Sequence, residues 1–292
     1  MTNDLELSLG LSTRSFVISM VREDGTLAAD ELYDVGEACG FTLHQIRLCL
    51  ARLVQEGQFV QEGRGRKANL RTTDLGHRTF VPELEHFQLG FLQDAGRAPW
   101  DGRWHLVGFS IDEERRAARN TLRAALLWTG APMAGGLYVS PNAWENRIDA
   151  VATDLGVADS LVYVDTDHLR VGALTDPPLV AAHLWPLDDI AKRWQRFTEE
   201  AQPLWHQLAA EEAADQFERV RFLAGVVSIS AAFEACLRHD PLLPPELLPQ
   251  PWPGTEARRV ILDTRELFDI GRDKSGLPAL QRRYDQILSA VE

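Results

Sequence analysis

Apolar residues at the start of the chain recur at helical spacing in three separate segments. Positions 13–23 and 28–38 each carry an apolar face, and Gly40 stands where a helix C-terminal cap belongs. Thr42 is typical of an N-cap, and it precedes an apolar stripe that ends at Gly57. The stripe consists of Leu43, Ile46, Leu50, Leu53 and Val54. The pattern therefore predicts three short helices.

Two strand-like pieces follow in the segment QFVQEGRGRKANLRTT, residues 58–73. They flank a Gly-Arg-Gly-Arg turn, so we expect a hairpin with a basic tip. Three helices followed by such a hairpin are typical of a winged helix-turn-helix. The sequence therefore predicts a winged helix-turn-helix DNA-binding domain over residues 1–80.

The rest of the chain changes from mixed to helical patterning. Residues 81–99 predict a helical linker. The strand–helix–strand–helix–strand order over 100–180 favours a ferredoxin-like α/β sandwich, which we expect to act as a dimerisation domain. Residues 181–292 predict an all-helical C-terminal domain. The segment PLLPPELLPQPWPG at 241–254 interrupts it with six prolines. The predicted fold class is α+β and multidomain.

Within the C-terminal region we expect helices over 188–212 and 215–238, then a final pair over 255–269 and 277–291. No uninterrupted apolar run reaches the roughly 18 residues of a membrane span, and no secretory signal is expected at the acidic N-terminus. The three cysteines are far apart in the chain, which favours a reducing cytoplasm over a disulfide framework or a structural zinc site. We expect a cytoplasmic protein with no membrane association.

Charge is distributed unevenly along the chain. The formal net charge is −13, which argues against general coating of nucleic acid. Residues 41–80 nevertheless carry seven basic and three acidic side chains. One basic stretch in an acidic chain indicates a local face for a polyanion such as double-stranded DNA.

The third helix and the hairpin tip supply the candidate DNA contacts. With the apolar stripe turned to the core, a helical wheel places polar residues outside, where Arg and Gln can read guanine and adenine. The helix start can bind a phosphate, and cations around a glycine turn suit phosphates or the minor groove. The predicted DNA-binding residues are Thr42, His44, Gln45, Arg47, Arg52, Arg64, Arg66, Lys67 and Arg71.

Two other interpretations of this stretch stay open. The basic face can be a solvated surface with no ligand, as most such patches are. Alternatively, a winged helix can bind only protein partners, and salt-dependent retention on duplex DNA would distinguish that case.

Three arginines of the middle region, Arg116, Arg119 and Arg123, lie on one stripe of a predicted helix. They can hold ligand phosphates, or they can pair with Asp112 and Glu113 one turn earlier. Asp112 can ligate a metal, but the same carboxylate suits the first turn of the helix, where the dipole favours negative charge. We favour ion pairing and the helix turn.

No catalytic motif is present, and the eight histidines are scattered singly, so neither an enzyme nor a metal site is expected. The alternative is a metal-dependent nuclease that uses the middle domain with Asp112 as ligand. A single carboxylate is too few for a two-metal site. Incubation of nucleic acid with the protein and Mg²⁺ would separate the two hypotheses.

Three stretches resemble one known family. They are IRLCLARLVQEGQF with GRGRKANLRTTDLG, then WDGRWHLVGFSIDEERRAARNTLRAALLWTGAPMAGGLYVSP, and LRHDPLLPPELLPQPWPGTEARR. Together they resemble the PaaX family of transcriptional regulators, bacterial repressors of phenylacetate catabolism operons, from about Thr13 to Leu267. Cys49 stands where that family usually has Ala, and Leu48 is unusually apolar for a position facing the groove.

The resemblance implies a homodimeric repressor of an aromatic-acid catabolic operon, released from its operator by an aryl-CoA thioester such as phenylacetyl-CoA. It also implies that the middle domain is similar to the ferredoxin-like fold of small CRISPR-associated nucleases. No cofactor is expected besides this effector. Acyl-CoA sites need cations near aromatic walls, and the candidates are Arg116, Arg119, Arg123, Trp104, Trp128 and Trp252.

Overall fold

The computed structural model describes residues 12–22, 24–214 and 218–275, with side chains for all of these except 77–84, 212 and 265–275. The helix expected over 277–291 lies outside this part of the chain. The fold divides into two compact units. Among the described residues, the first comprises those up to Phe91, Lys192–Cys236 and those from Pro253 to Ser275, and the second comprises Leu92–Ala191 and Leu237–Trp252. The predicted domain boundaries stay predictions, because compactness does not establish which segments fold alone.

The elements alternate between helices and short strands in the first part of the chain and are helical at its end. In chain order they are α1 (Thr13–Ser19), β1 (Thr26–Ala28), α2 (Ala29–Ala38), α3 (Leu43–Gln55), β2 (Phe59–Glu62), β3 (Asn69–Thr72), α4 (Asp74–Asp94), β4 (Trp104–Phe109), α5 (Arg116–Thr129), β5 (Ala131–Pro132), β6 (Leu137–Ser140), α6 (Glu145–Asp154), β7 (Leu161–Thr166), α7 (Pro177–Leu184), α8 (Leu187–Ala213), α9 (Arg219–Leu237) and α10 (Pro253–Ser275). The predicted α+β class is confirmed.

The first three helices of the first unit pack around a small apolar core that includes Phe16, Ile46 and Leu53. Gly36 allows α2 to approach its neighbours, because a Cβ there would lie 2.4 Å from Ile46 Cδ1 and 3.0 Å from the ring of Phe16. An antiparallel sheet of order β1-β3-β2 adjoins these helices. Of the two outer strands, β2 was predicted and β1 was not, because the three residues of β1 are too few to show alternating apolar and polar positions.

The first unit also contains an aromatic core made by later helices. The Phe233 ring lies 5.1 Å from Trp194, 5.7 Å from Phe197 and 5.7 Å from Phe87, between ring centroids. Phe233 belongs to α9, which is long and apolar enough to cross a membrane by length and composition. However, 78% of its most apolar window is buried inside the protein.

The second unit is built on a four-stranded antiparallel sheet of order β5-β6-β4-β7. Helices α5 and α6 cover one face, where Val107, Leu122, Leu126 and Ile148 are fully buried. With β5 included, the element order is β-α-β-β-α-β, so the structure has one strand more than the sequence predicted. A strand of two residues, such as β5, is too short to show an alternating pattern in the sequence.

Two helix boundaries also differ from the predictions. Helix α7 begins at Pro177, four residues before the region 181–292 that we expected to be all-helical. Proline is well suited to the first turn of a helix, because its missing N–H has no intrahelical partner there. Helix α10 continues to Ser275, past the expected end at 269.

Candidate nucleic-acid interface

Helix α3 presents a polar face to solvent, as its pattern predicts. Ile46, Leu50 and Leu53 are buried, so the helix is fixed by its apolar stripe. The exposed face contains Thr42, His44, Gln45, Arg47, Leu48, Arg52 and Gln55. Leu48 is 45% exposed, which places a large apolar side chain in the middle of this face. The face can therefore offer both hydrogen bonds and an apolar contact to a ligand.

A capping box fixes the start of α3. The Thr42 hydroxyl oxygen accepts from the Gln45 backbone N–H at 3.3 Å, and the Gln45 side-chain oxygen accepts from the Thr42 backbone N–H at 2.8 Å. The Thr42 hydroxyl also lies 2.9 Å from the same Gln45 oxygen. In this state the Gln45 side chain holds the helix start, a role that its position alone did not reveal.

The hairpin tip folds back toward α2. A short 3-10 turn over Gly65–Lys67 replaces the expected tight loop, and the Ala68 carbonyl accepts from the Ala29 N–H at 3.0 Å. All three cations of the tip, Arg64, Arg66 and Lys67, are exposed. The hairpin tip is thus held in a defined position with its three cations exposed to solvent.

Tyr33 of α2 connects the tip with α3. The residue is 4% exposed, and two guanidinium groups approach its ring. The Arg47 carbon lies 5.8 Å from the ring centroid and the Arg66 carbon 5.9 Å. Cation–π contacts of this kind orient both arginines, one from each half of the predicted interface. Sequence inspection missed Tyr33, because its spacing in α2 is that of a core residue.

Asp34, the neighbour of Tyr33, pairs with Arg66 of the tip. Both side chains are about half exposed, 48% for Asp34 and 51% for Arg66. One of the three tip cations is therefore neutralised in the free protein. For Arg64 and Lys67 the described part of the chain shows no ion pair, so these two carry the available charge of the tip.

Two contacts tie α2 and its C-cap residue, Cys39, to α9 within the first unit. Glu31 accepts from Arg22 at 2.7 Å and also pairs with Arg219. The Cys39 thiol lies 3.7 Å from the Ala224 carbonyl oxygen, and burial raises its pKa to about 12. This cysteine is consequently a buried packing residue with a protonated thiol at neutral pH.

The structure does not bring the six residues suggested for an effector together. Arg116 and Arg119 lie 3.8 and 2.8 Å from Glu113, in the ion pairs that we favoured, and Arg123 is exposed on the same helix. Trp104 alternates with Val107 on β4 and so lies on the sheet face opposite α5, stacked on Trp185. Trp128 lies beneath Arg147, and Trp252 is buried.

Comparisons with known proteins identify relatives of this chain. The model of the PaaX protein central Cas2-like domain matches residues 97–176, and that of the PaaX-like protein C-terminal domain matches residues 185–273. The transcriptional repressor PaaX of Escherichia coli (strain K12) is 26% identical over 249 residues, which are 84% of this chain and 75% of that protein. The chain belongs to the PaaX family.

Among solved structures, the uncharacterized protein Rv0674 from Mycobacterium tuberculosis is 23% identical, with a TM-score of 0.48. The match covers 92% of this chain and all of that one. The relative that the chain matches over most of its length is a transcriptional repressor, and both family models are PaaX models.

The nuclease alternative finds no support. Asp112 precedes the short 3-10 turn before α5, and its side chain makes no cap hydrogen bond there. Its backbone carbonyl accepts from Arg115, so the backbone and not the carboxylate closes the turn. We expected the Asp112 carboxylate to serve the first turn of the helix. It does so only through its negative charge, because it accepts no hydrogen bond there.

Proposed function

We propose that the protein is a DNA-binding repressor whose residues 1–80 form a winged helix-turn-helix. The proposal depends above all on one observation: α3 and the hairpin tip both expose cations, and Arg47 of the helix and Arg66 of the tip both approach the Tyr33 ring, in a member of the PaaX family. Helix α3 would enter the major groove, and the tip would follow the sugar–phosphate backbone. The acidic remainder of the chain would confine DNA to this face.

The exposed residues divide into two roles. His44, Arg47 and Arg52 face outward along α3 and would approach base edges. Residues near the helix start and in the hairpin would contact phosphates. These residues are Thr42, Arg64, Arg66, Lys67 and Arg71. Gln45 would read adenine with both amide atoms only after its oxygen left Thr42, so a single contact through its nitrogen fits the folded helix better.

A salt titration tests this interface. The full-length protein would be titrated against labelled promoter DNA of the genes that flank its own, between about 50 and 200 mM salt. The double variant Arg64→Ala/Lys67→Ala should bind more weakly, with a log–log salt slope smaller by roughly one for each phosphate that the variant no longer neutralises. The control Arg196→Ala/Arg259→Ala removes two exposed cations from later helices and should bind normally. Equal binding by both double variants would refute the proposed interface.

The middle unit suits the proposed ferredoxin-like fold and a role in dimerisation. Its sheet order places β7 at an edge, where Val162 and Val164 are 63% and 50% exposed. Exposed apolar side chains on an edge strand favour coverage by another chain, and a second copy suits an operator with two half-sites. Light scattering should give a dimer mass for the full chain, and Val164→Lys should lower it. A monomer at micromolar concentration would contradict this proposal.

The effector that we propose is an aryl-CoA ester, with the regulated pathway an aromatic-acid one of the phenylacetate type and the protein acting in the cytoplasm. Arg116 and Arg123 are exposed and can approach CoA phosphates, while the acyl group needs an apolar wall. Operator release should occur with phenylacetyl-CoA and not with free CoA or phenylacetate, because each of the last two supplies only part of the contacts. Release by phenylacetate alone would exclude this ligand class.

A further inference from the structure

A histidine surrounded by carboxylates lies at one end of the middle sheet. His105 of β4 is 5% exposed, and its register partner on β7 is Asp165. His105 Nδ1 lies 3.2 Å from Asp165 Oδ1 and 2.9 Å from Oε1 of Glu145, the first residue of α6. Three elements of the second unit thus contribute one candidate ligand atom each, and the three atoms lie within 4.8 Å of one another.

The other ring nitrogen, Nε2, faces a different carboxylate. His105 Nε2 is buried and makes no hydrogen bond in the described structure, but Asp101 Oδ2 lies 3.3 Å from it. A histidine that binds a metal through one nitrogen commonly directs the N–H of the other toward a carboxylate, which fixes the ring. The cluster likewise places carboxylates on both sides of the ring, two beside Nδ1 and a third, which is not hydrogen-bonded here, beside Nε2.

Charge and distance both suit a divalent cation. Three carboxylates face one imidazole, so even a protonated ring would leave negative charge in excess. In a tetrahedral zinc site with bonds of about 2.0–2.1 Å, ligand atoms are roughly 3.3 Å apart. The distances of 2.9 and 3.2 Å from Nδ1 are close to that edge length. The carboxylates are 32% to 50% exposed, which leaves an entry path for an ion.

We propose that His105, Glu145 and Asp165 bind one divalent transition-metal ion of the zinc class, with Asp101 orienting the imidazole. One nitrogen and two carboxylate oxygens are a donor set that zinc accepts. The ion would join the first strand, the last strand and the second helix of the middle sheet unit. Its expected effect is stabilisation of this unit, because binding favours the folded state in which the ligands converge.

The test uses untagged full-length protein, dialysed against a chelator and titrated with Zn²⁺ by calorimetry, with thermal unfolding measured in parallel. We expect one ion per chain and a higher unfolding midpoint. His105→Gln and Glu145→Gln should abolish tight binding, and Asp101→Asn should weaken it about 10- to 100-fold. The control is His168→Gln, a 92% exposed histidine beside Asp167 in the same unit, which should bind normally.

Glu145→Gln keeps the test decisive if His105→Gln fails to fold, because Glu145 is partly exposed in the first turn of its helix. Absence of stoichiometric zinc binding by the unaltered protein would overturn the proposal. Binding that persists in both the His105 and Glu145 variants would place the ion elsewhere and overturn it equally.

Discussion

The pairing of Asp34 with Arg66 makes a direct prediction about operator affinity. In the free protein this carboxylate neutralises one of the three cations at the hairpin tip. An exposed ion pair contributes about 0.2–1 kcal/mol, and both partners here are about half exposed. If Arg66 must leave Asp34 to contact a phosphate, breaking the ion pair makes operator binding weaker by that free energy. Asp34→Asn should therefore strengthen operator binding about 1.4-fold to fivefold.

The measurement is fluorescence anisotropy of labelled operator with full-length protein across a range of salt concentrations. Because Arg66 would contact its phosphate in both the parent and the variant complex, the log–log salt slope should stay similar while the affinity rises. Glu37→Gln is the matched control, because Glu37 is exposed one turn further along the same helix and the net charge changes equally. This control separates loss of the pair from a general change in charge.

A double-mutant cycle decides whether the gain passes through Arg66. In an Arg66→Ala background, Asp34→Asn should change affinity no more than Glu37→Gln does. An equal gain with and without Arg66 would refute the pairing argument, as would a gain no larger than that of the control. Circular dichroism should show an unchanged fold, since loss of an exposed pair costs less than about 1 kcal/mol.

Three further predictions concern the architecture that supports the interface. Thr42→Ala removes the capping box and should lower the free energy of unfolding by about 1 kcal/mol in urea denaturation, so an unchanged midpoint would contradict the role of the cap. Gly36→Ala places a methyl group 2.4 Å from Ile46 Cδ1 and should cost about 1–3 kcal/mol in the same assay; a stabilised variant would show that the helices can separate freely. A thiol reagent at pH 8 should modify Cys49, which is partly exposed, well before Cys39, whose pKa of about 12 leaves little thiolate, and the reverse order would contradict the burial of Cys39.

The third helix could be predicted because its signals are local. The apolar stripe of 42–56 repeats every three to four residues, and Thr42 marks its start, so both the bounds and the exposed face follow from the helical period. Strand β1 could not be predicted in the same way. It pairs Thr26 with Arg71, a partner far along the chain, and its existence depends on the hairpin being in place.

The histidine–carboxylate cluster shows the same limit more sharply. His105 and Asp165 are neighbours only because β4 and β7 pair in one particular register, and a shift of one residue would turn Asp165 to the other face. Glu145 joins them because α6 begins over the end of β4. A scan for metal motifs detects ligands at short, fixed spacings, and a site assembled from strand register has none.

Segment charge is an equally indirect guide to the interface. The excess of basic residues over 41–80 indicates where a polyanion would bind, but α2 belongs to the acidic stretch before it. The fold places Asp34 of that helix against Arg66, while Glu56 within the basic stretch lies 2.8 Å from Arg14 outside it. Each pairing changes the charge available to DNA in a way that a running sum cannot show. The strength of operator binding should therefore depend on contacts between α2 and the hairpin tip as much as on the number of arginines.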